Sequence, residues 1–346
     1  MPVTYQLVRE ILPEDPYELV DHIFKKIDGA YSEATMRAYR SDLNDYVDFC
    51  YRLNFPCFPT PVEAMVAFIE DCSVRGLSVA FIKRKLTAIT SFHRFCRLRS
   101  PVIDIDVQLA MRRLVREKGM AARQARGLSK RMFDDFIATT RRDIHGYRDR
   151  ALLHLAYSTL CRRQELVDLL IEDLRFHPDG SGMVHQRAGK VDKLKRGRWI
   201  YLQPYVMKAV TEWLEVSMLK EGPILRGIKK NRKASPGRMC LTAVSRSYKR
   251  MARKAGYPED VINEISSHST RVGAAQELLE SGASLLQVMH RGGWSLPQSV
   301  LRYVRNADTL YDYPLWRYEH YSLGRKNRDS EGQEAPLMQM PKIGLG

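Results

Sequence analysis

The chain has 346 residues, enough for two domains that each bury a core, and its 44% hydrophobic and 28% charged content is ordinary for a globular protein. Its 56 lysines and arginines against 40 acidic residues leave a formal net charge of +16, a field that attracts polyanions, DNA and RNA above all. No apolar run is long enough to span a bilayer, and the cations are spread along the chain, which argues against a membrane partner.

The N-terminus, Met-Pro-Val-Thr-Tyr-Gln, lacks the basic and apolar regions of a secretory signal, so a cytoplasmic protein is expected. Cys50, Cys57, Cys72, Cys96, Cys161 and Cys240 form no C-x-x-C pair. Their apolar surroundings predict small core residues in a reducing compartment and no zinc site.

Residues 1–17, with Pro2, Pro13 and Pro16, read as an irregular arm. Ser32 reads as an N-cap, followed by a helix to Cys50 with apolar residues at helical spacing. After Pro56, Pro59 and Pro61 come predicted helices over 62–72, 79–97 and 107–118, so the first 120 residues read as all-α. The polar, basic segment 119–130 reads as a linker, and Ser129 as the cap of the next helix. Helices are predicted over 148–160 and 164–170, and short strands over 182–186 and 198–202. Further helices follow over 206–219, 242–255, 272–282, 285–290 and 298–305. The expected organisation is an arm (1–17), a helical DNA-binding domain (18–118), a linker (119–130), a mainly α domain with a small sheet (131–324) and a tail (325–346).

Several side chains suit phosphoryl chemistry. A phenol attacks a phosphorus centre well only when cations hold the phosphate oxygens on which charge develops. Arg162 falls at a helix boundary after an apolar run, with Glu165 one turn on to orient it; alone, the two could be a surface ion pair. Lys190 lies between the predicted strands, placed to protonate a leaving oxygen as a general acid, although Lys193 and Lys195 share the hairpin. His268 and Arg271 are three apart at an expected helix N-terminus, which itself favours an anion. Trp294 follows Gly292 and Gly293, which leave room for a ligand backbone, and its indole N–H is a donor only. Tyr303, between Arg302 and Arg305, is the candidate nucleophile, although one tyrosine among 17 is weak by itself.

Taken together, Ala156-Tyr-Ser-Thr-Leu-Cys-Arg162-Arg-Gln-Glu165, His268-Ser-Thr-Arg271-Val-Gly, Met289-His-Arg-Gly-Gly-Trp294 and Leu301-Arg-Tyr303-Val-Arg-Asn resemble the tyrosine site-specific recombinases, their Cre-like branch most closely. The resemblance extends to Tyr31-Ser-Glu-Ala-Thr, Arg75-Gly-Leu-Ser-Val and Leu109-Ala-Met-Arg-Arg-Leu. It implies a two-domain C-clamp around DNA, with an all-α, SAM-like core-binding domain and a mixed α/β catalytic domain. In such an enzyme Arg162 and Arg271 hold the scissile phosphate, and Lys190 protonates the 5′-oxygen. His268 assists the tyrosine, Trp294 occupies a second histidine's place, and Glu165 stands beside the first arginine. Tyr303 forms a 3′-phosphotyrosyl link. The resemblance further implies a duplex target with inverted repeats, a homotetramer on two sites, and a helix within 307–323 that docks on a neighbouring protomer. A phosphotyrosyl ester conserves the energy of the broken bond, so neither ATP nor a metal or other cofactor is expected.

Two helices suit the major groove. One presents Lys83, Arg84, Lys85 and Arg94; the other presents Arg246, Lys249 and Arg250. The cation-rich stretch 226–238 reads as a loop along the DNA backbone. A topoisomerase of similar chemistry, and a clamp that has lost its chemistry, are the competing readings.

Overall fold

The computed structural model of the chain describes residues 13–119, 125–187 and 197–304. The chain divides into two compact units at residue 125.

The first unit holds α1 (Pro16–Lys26), α2 (Glu33–Leu53), α3 (Val62–Val74), α4 (Val79–Phe95) and α5 (Ile105–Lys118). Sequence reasoning missed α1 by reading residues 1–17, with Pro16 among them, as an irregular arm. Proline is well tolerated at the first helical position, where its missing N–H would have no partner. Asp15 completes the start: its Oδ1 accepts from the Tyr17 and Glu18 amides, each at 2.9 Å. Leu19, Val20, Ile23 and Phe24 of α1 are buried. Ser32 and Ser78 cap α2 and α4 by accepting from Thr35 and Phe81 amides. The core is aromatic at its centre, where Tyr46 and Phe49 each lie 5.1 Å from Phe68, centroid to centroid. Cys50, Cys57, Cys72 and Cys96 fill this core as small apolar side chains, and Cys161 is buried in the second unit. Cys240, expected among them, is exposed.

In the second unit, α6 (Lys130–Ala138) and α7 (Ile144–Thr159) precede the short α8 (Arg163–Val167). Strands β1 (Leu174–Phe176), β2 (Gly182–Gln186) and β3 (Arg198–Leu202) then form an antiparallel sheet in sequence order. Next come α9 (Pro204–Ser217), the antiparallel pair β4 (Arg226–Ile228) and β5 (Ala234–Arg238), and α10 (Leu241–Lys254). The unit continues with α11 (Glu259–Glu264), α12 (Ser269–Glu280), α13 (Leu285–Gly292) and α14 (Pro297–Val304). Helix α7 buries Ala151, Leu152, Leu153, Leu155 and Ala156 and packs against α9 and α12, as a helix apolar on several faces must.

Two expectations are corrected here. Stretch 226–238 is a β-hairpin and not a loop; its turn is closed by the Lys229 amide donating to the Lys233 carbonyl at 2.9 Å. Its cations hid the strand pattern, because extended backbone needs only a paired neighbour. The last residues of the expected linker belong to the second unit. Leu128 is fully buried, and its amide donates to the Ser269 carbonyl at 2.9 Å. Among the described residues no helix is long and apolar enough to cross a membrane.

Candidate active site

A second, smaller apolar cluster carries the candidate chemistry: Leu160, Val272, Ala274, Ala275, Val288, Trp294, Val300 and Tyr303. The wall begins where α7 ends. Leu160 adopts the left-handed conformation, with φ 52°, and its carbonyl accepts from Arg271 Nη1. Two residues on, Arg162 caps α8. Its amide donates to Glu165 Oε2 at 2.8 Å and its Nη1 to Glu165 Oε1 at 2.9 Å. Glu165 therefore fixes both ends of Arg162, the backbone that starts the helix and the guanidinium that leaves it.

Arg271 lies on the first turn of α12 and is 1% exposed. Its Cζ sits 3.9 Å above the Trp294 ring, a close cation–π stack. Nε and Nη2 are buried and without a hydrogen-bond partner. Burial first, and then the Arg162 charge, push this guanidinium well below the ordinary arginine range, down to about 10. Two unpaired N–H groups in a positive recess are a strong demand for an oxyanion.

His268 is the N-cap residue of α12, and the turn that leads into it is held by three hydrogen bonds. Its amide donates to Ser266 Oγ at 3.1 Å, the Ser266 amide to Ser269 Oγ at 3.0 Å, and the Ser267 amide to Ser245 Oγ of α10 at 2.9 Å. The ring Nε2 lies 2.8 Å from the Tyr303 hydroxyl. Burial, followed by the charges of Arg271 and Arg162, pushes His268 down to about 4, so the imidazole is neutral at pH 7. Tyr303, on α14, is 9% exposed and stands 5.7 Å from both the His268 and Trp294 rings, centroid to centroid. Gln276 Nε2 donates to the Tyr303 carbonyl at 2.9 Å and ties α14 to α12.

The structure thus brings Arg162, Glu165, His268, Arg271, Trp294 and Tyr303 together. Lys190, with Lys193 and Lys195, lies outside the described residues, as do Arg305 and the predicted docking helix within 307–323. The expectation that Gly292 and Gly293 leave room for a ligand is corrected. A Cβ on Gly292 would fall 1.9 Å from the Trp294 ring, and one on Gly293 would fall 3.2 Å from Arg198 Cζ. The space is already taken by the protein's own side chains.

Sequence reasoning missed the residues that frame the site. Arg198 Nε donates to Gln186 Oε1 at 3.0 Å, and its Nη1 donates to the His290 and Arg291 carbonyls. It therefore fastens the start of β3 to the turn that carries Trp294. A signal was available, since Arg198 is in phase with buried Ile200 and Leu202 on a strand of period two. Arg291 donates from Nε to the Ser158 carbonyl at 2.9 Å and from Nη2 to the Tyr201 carbonyl at 3.2 Å, pulling α13 onto α7 and β3. Gly273 is required by a close approach: a Cβ there would stand 2.0 Å from the Leu128 carbonyl oxygen.

The expected DNA-reading cations divide. Lys83, Arg94 and Arg246 are exposed, and Lys249 is half-buried. Lys85 is corrected: it is 5% exposed, with Nζ 3.2 Å from Asp42 and 2.8 Å from Asp45, so it holds α4 to α2 and offers nothing to a groove. Arg84 is paired with Asp42 at 2.8 Å, and Arg250 with Asp149, in each case with part of the side chain exposed.

The phage integrase family matches residues 126–309, and its N-terminal SAM-like domain matches residues 24–100. The chain belongs to the phage integrase family and is a tyrosine recombinase, an enzyme that cuts and rejoins DNA. It is 27% identical to the recombinase Cre of Escherichia phage P1 over 295 residues, 81% of this chain and 86% of that protein. It is 26% identical to a XerD homologue of Selenomonas ruminantium over 330 residues, 90% and 93% of the two chains. The fold is similar to the Tn1549 transposon integrase in complex with transposon right-end DNA, with a TM-score of 0.61 and 16% identity over 88% of this chain and 99% of that one. It is also similar to XerH bound to a palindromic difH substrate, with a TM-score of 0.58 and 16% identity over 89% and 98%.

Proposed function

We propose that this chain is a conservative site-specific recombinase that breaks a DNA strand by attack of Tyr303 on the scissile phosphate, leaving a 3′-phosphotyrosyl link. The observation that carries this reading is the pairing of the Tyr303 hydroxyl with His268 Nε2 at 2.8 Å, beside the unpartnered Nε and Nη2 of buried Arg271. The two guanidiniums of Arg162 and Arg271 bind the non-bridging oxygens, where charge grows in the transition state. A bound phosphate offsets their positive field, the smaller cause of the shift after burial, and so raises the basicity of His268, which then accepts the phenolic proton. Trp294 holds the Arg271 guanidinium in plane, and Glu165 holds that of Arg162. Lys190, on the β2–β3 connection, protonates the 5′-oxygen as it leaves; Lys193 and Lys195 are the alternatives. Rejoining is the reverse attack by a 5′-hydroxyl, and the tyrosyl ester supplies its energy without ATP or a metal.

The reaction runs in a homotetramer that pairs two duplex sites, each built of inverted repeats, and serves integration, excision or resolution. The test uses a duplex site nicked beside the cleavage point, so that the adduct is trapped. Wild-type protein forms an SDS-resistant adduct, whereas Tyr303→Phe forms none and binds as before. Cleavage retained in Tyr303→Phe means another nucleophile, and no wild-type adduct on a bound site ends the enzymatic proposal. Truncation after Asn306 weakens pairing of sites, and unchanged recombination by that protein removes the docking helix from the scheme. Relaxation of any supercoiled plasmid, without a target, identifies a topoisomerase instead.

A further inference from the structure

Within that reading, which it presupposes, we propose that Arg84 reads a guanine of the target through its O6 and N7 acceptors, and that Asp42 is the residue that positions it. On α4 the side chains of Ala80, Arg84, Thr87, Ser91 and Arg94 recur at spacings of three and four and share one face. Ala80, Thr87 and Arg94 are exposed, and Arg84 and Ser91 partly so. Small side chains on either side of one guanidinium let a helix approach base edges that a row of long cations would hold off.

Arg84 is also held in place before any ligand arrives. Its Nη2 donates to Asp42 Oδ1 at 2.8 Å, and its Cζ lies 4.4 Å from the centre of the Phe81 ring. Asp42, on α2, has a side chain only 1% exposed, and it takes a second bond from buried Lys85 at 3.2 Å. The carboxylate is therefore anchored from the core side by Lys85 and presents the Arg84 guanidinium outward. Arg84 Nε is buried without a partner, while the side chain as a whole stays 41% exposed, so its exposed part lies away from Nε. Nη1 and the second N–H of Nη2, the first being held by Asp42, then match the two acceptors of guanine in the major groove. Pairing with Asp42 removes in advance the rotamer freedom that a solvated arginine loses on binding. Lys85 cannot share the role because it is buried beneath.

The test selects bound sequences from a randomised duplex library with the full-length protein, then repeats the selection with variants. Wild type enriches a site with a guanine at one position in each half. Arg84→Ala loses the preference for that guanine by about tenfold to a hundredfold, the range for one bidentate base contact, and keeps the others. Replacing that guanine by 7-deazaguanine lowers wild-type affinity and leaves Arg84→Ala unchanged. Asp42→Asn weakens the same single preference; if it fails to fold, Phe81→Ala, which removes an exposed ring beneath the guanidinium, takes its place. Full preference at every position in Arg84→Ala overturns the proposal while the recombinase reading stands. Full preference in a folded Asp42→Asn removes Asp42 from it. A wild-type protein that enriches no sequence overturns both.

Discussion

Arg271→Met is expected to make the unliganded protein more stable while abolishing strand cleavage. Burial above all holds the guanidinium at about 10 in the folded protein, well below the ordinary arginine range. At about 1.36 kcal/mol for each tenfold change in proton affinity, keeping this group charged costs the folded state about 3 kcal/mol. Methionine fills similar space without charge. It forfeits the bond to the Leu160 carbonyl and the stack on Trp294, worth about 1 kcal/mol each. The balance is a gain of about 1 kcal/mol. The assay is urea unfolding followed by tryptophan fluorescence, because Trp199, Trp213, Trp294 and Trp316 all lie beyond residue 125. On target DNA the order reverses, since wild type alone gains the phosphate contacts. A folded Arg271→Met protein less stable than wild type by 1 kcal/mol or more, without DNA, would refute the claim that the recess is held open at a cost.

Gly273→Ala drives a methyl into the Leu128 carbonyl and is expected to cost about 1–3 kcal/mol of stability, measured by the same unfolding assay; an unchanged midpoint contradicts the close approach. His154 and His268 are both pushed down to about 4 by burial, so the unfolded chain takes up their protons first. Stability is then complete above pH 6.5 and falls by about 3 kcal/mol per histidine as pH drops toward 4, and His268→Gln flattens that slope in urea titrations. A slope as steep in His268→Gln as in wild type counts against a neutral, buried imidazole. Arg198→Lys loses the fork between Gln186 and the α13 carbonyls, so cleavage of a nicked substrate slows about tenfold to a hundredfold while DNA affinity holds. Equal losses in affinity and in rate mean that Arg198 only supports the fold.

The grouping of the candidate residues was largely legible because their types come in a fixed order along the chain. Arg162, His268, Arg271, Trp294 and Tyr303 each sit beside an apolar helical stretch, and those helices form as the spacing predicts. What was not legible depends on neighbours distant in sequence. Lys85 looks like its exposed neighbour Lys83 until Asp42 and Asp45, on another helix, are known to lie beneath it. The two glycines before Trp294 look like room for a ligand until the indole is seen folded back over Gly292. Helix α1 was lost because a proline that begins a helix and one that ends it look alike until the cap is found. The short β1 and α11 carry too few residues for a period to emerge.

The backbone at Leu128 ties the polypeptide arriving from the first unit to α12 at two points, by its hydrogen bond to Ser269 and by the fit of its carbonyl over Gly273. Those points bracket Arg271. Any displacement of the backbone at Leu128 is thus delivered, within one turn of helix, to the stretch that carries the Arg271 guanidinium and the His268 imidazole.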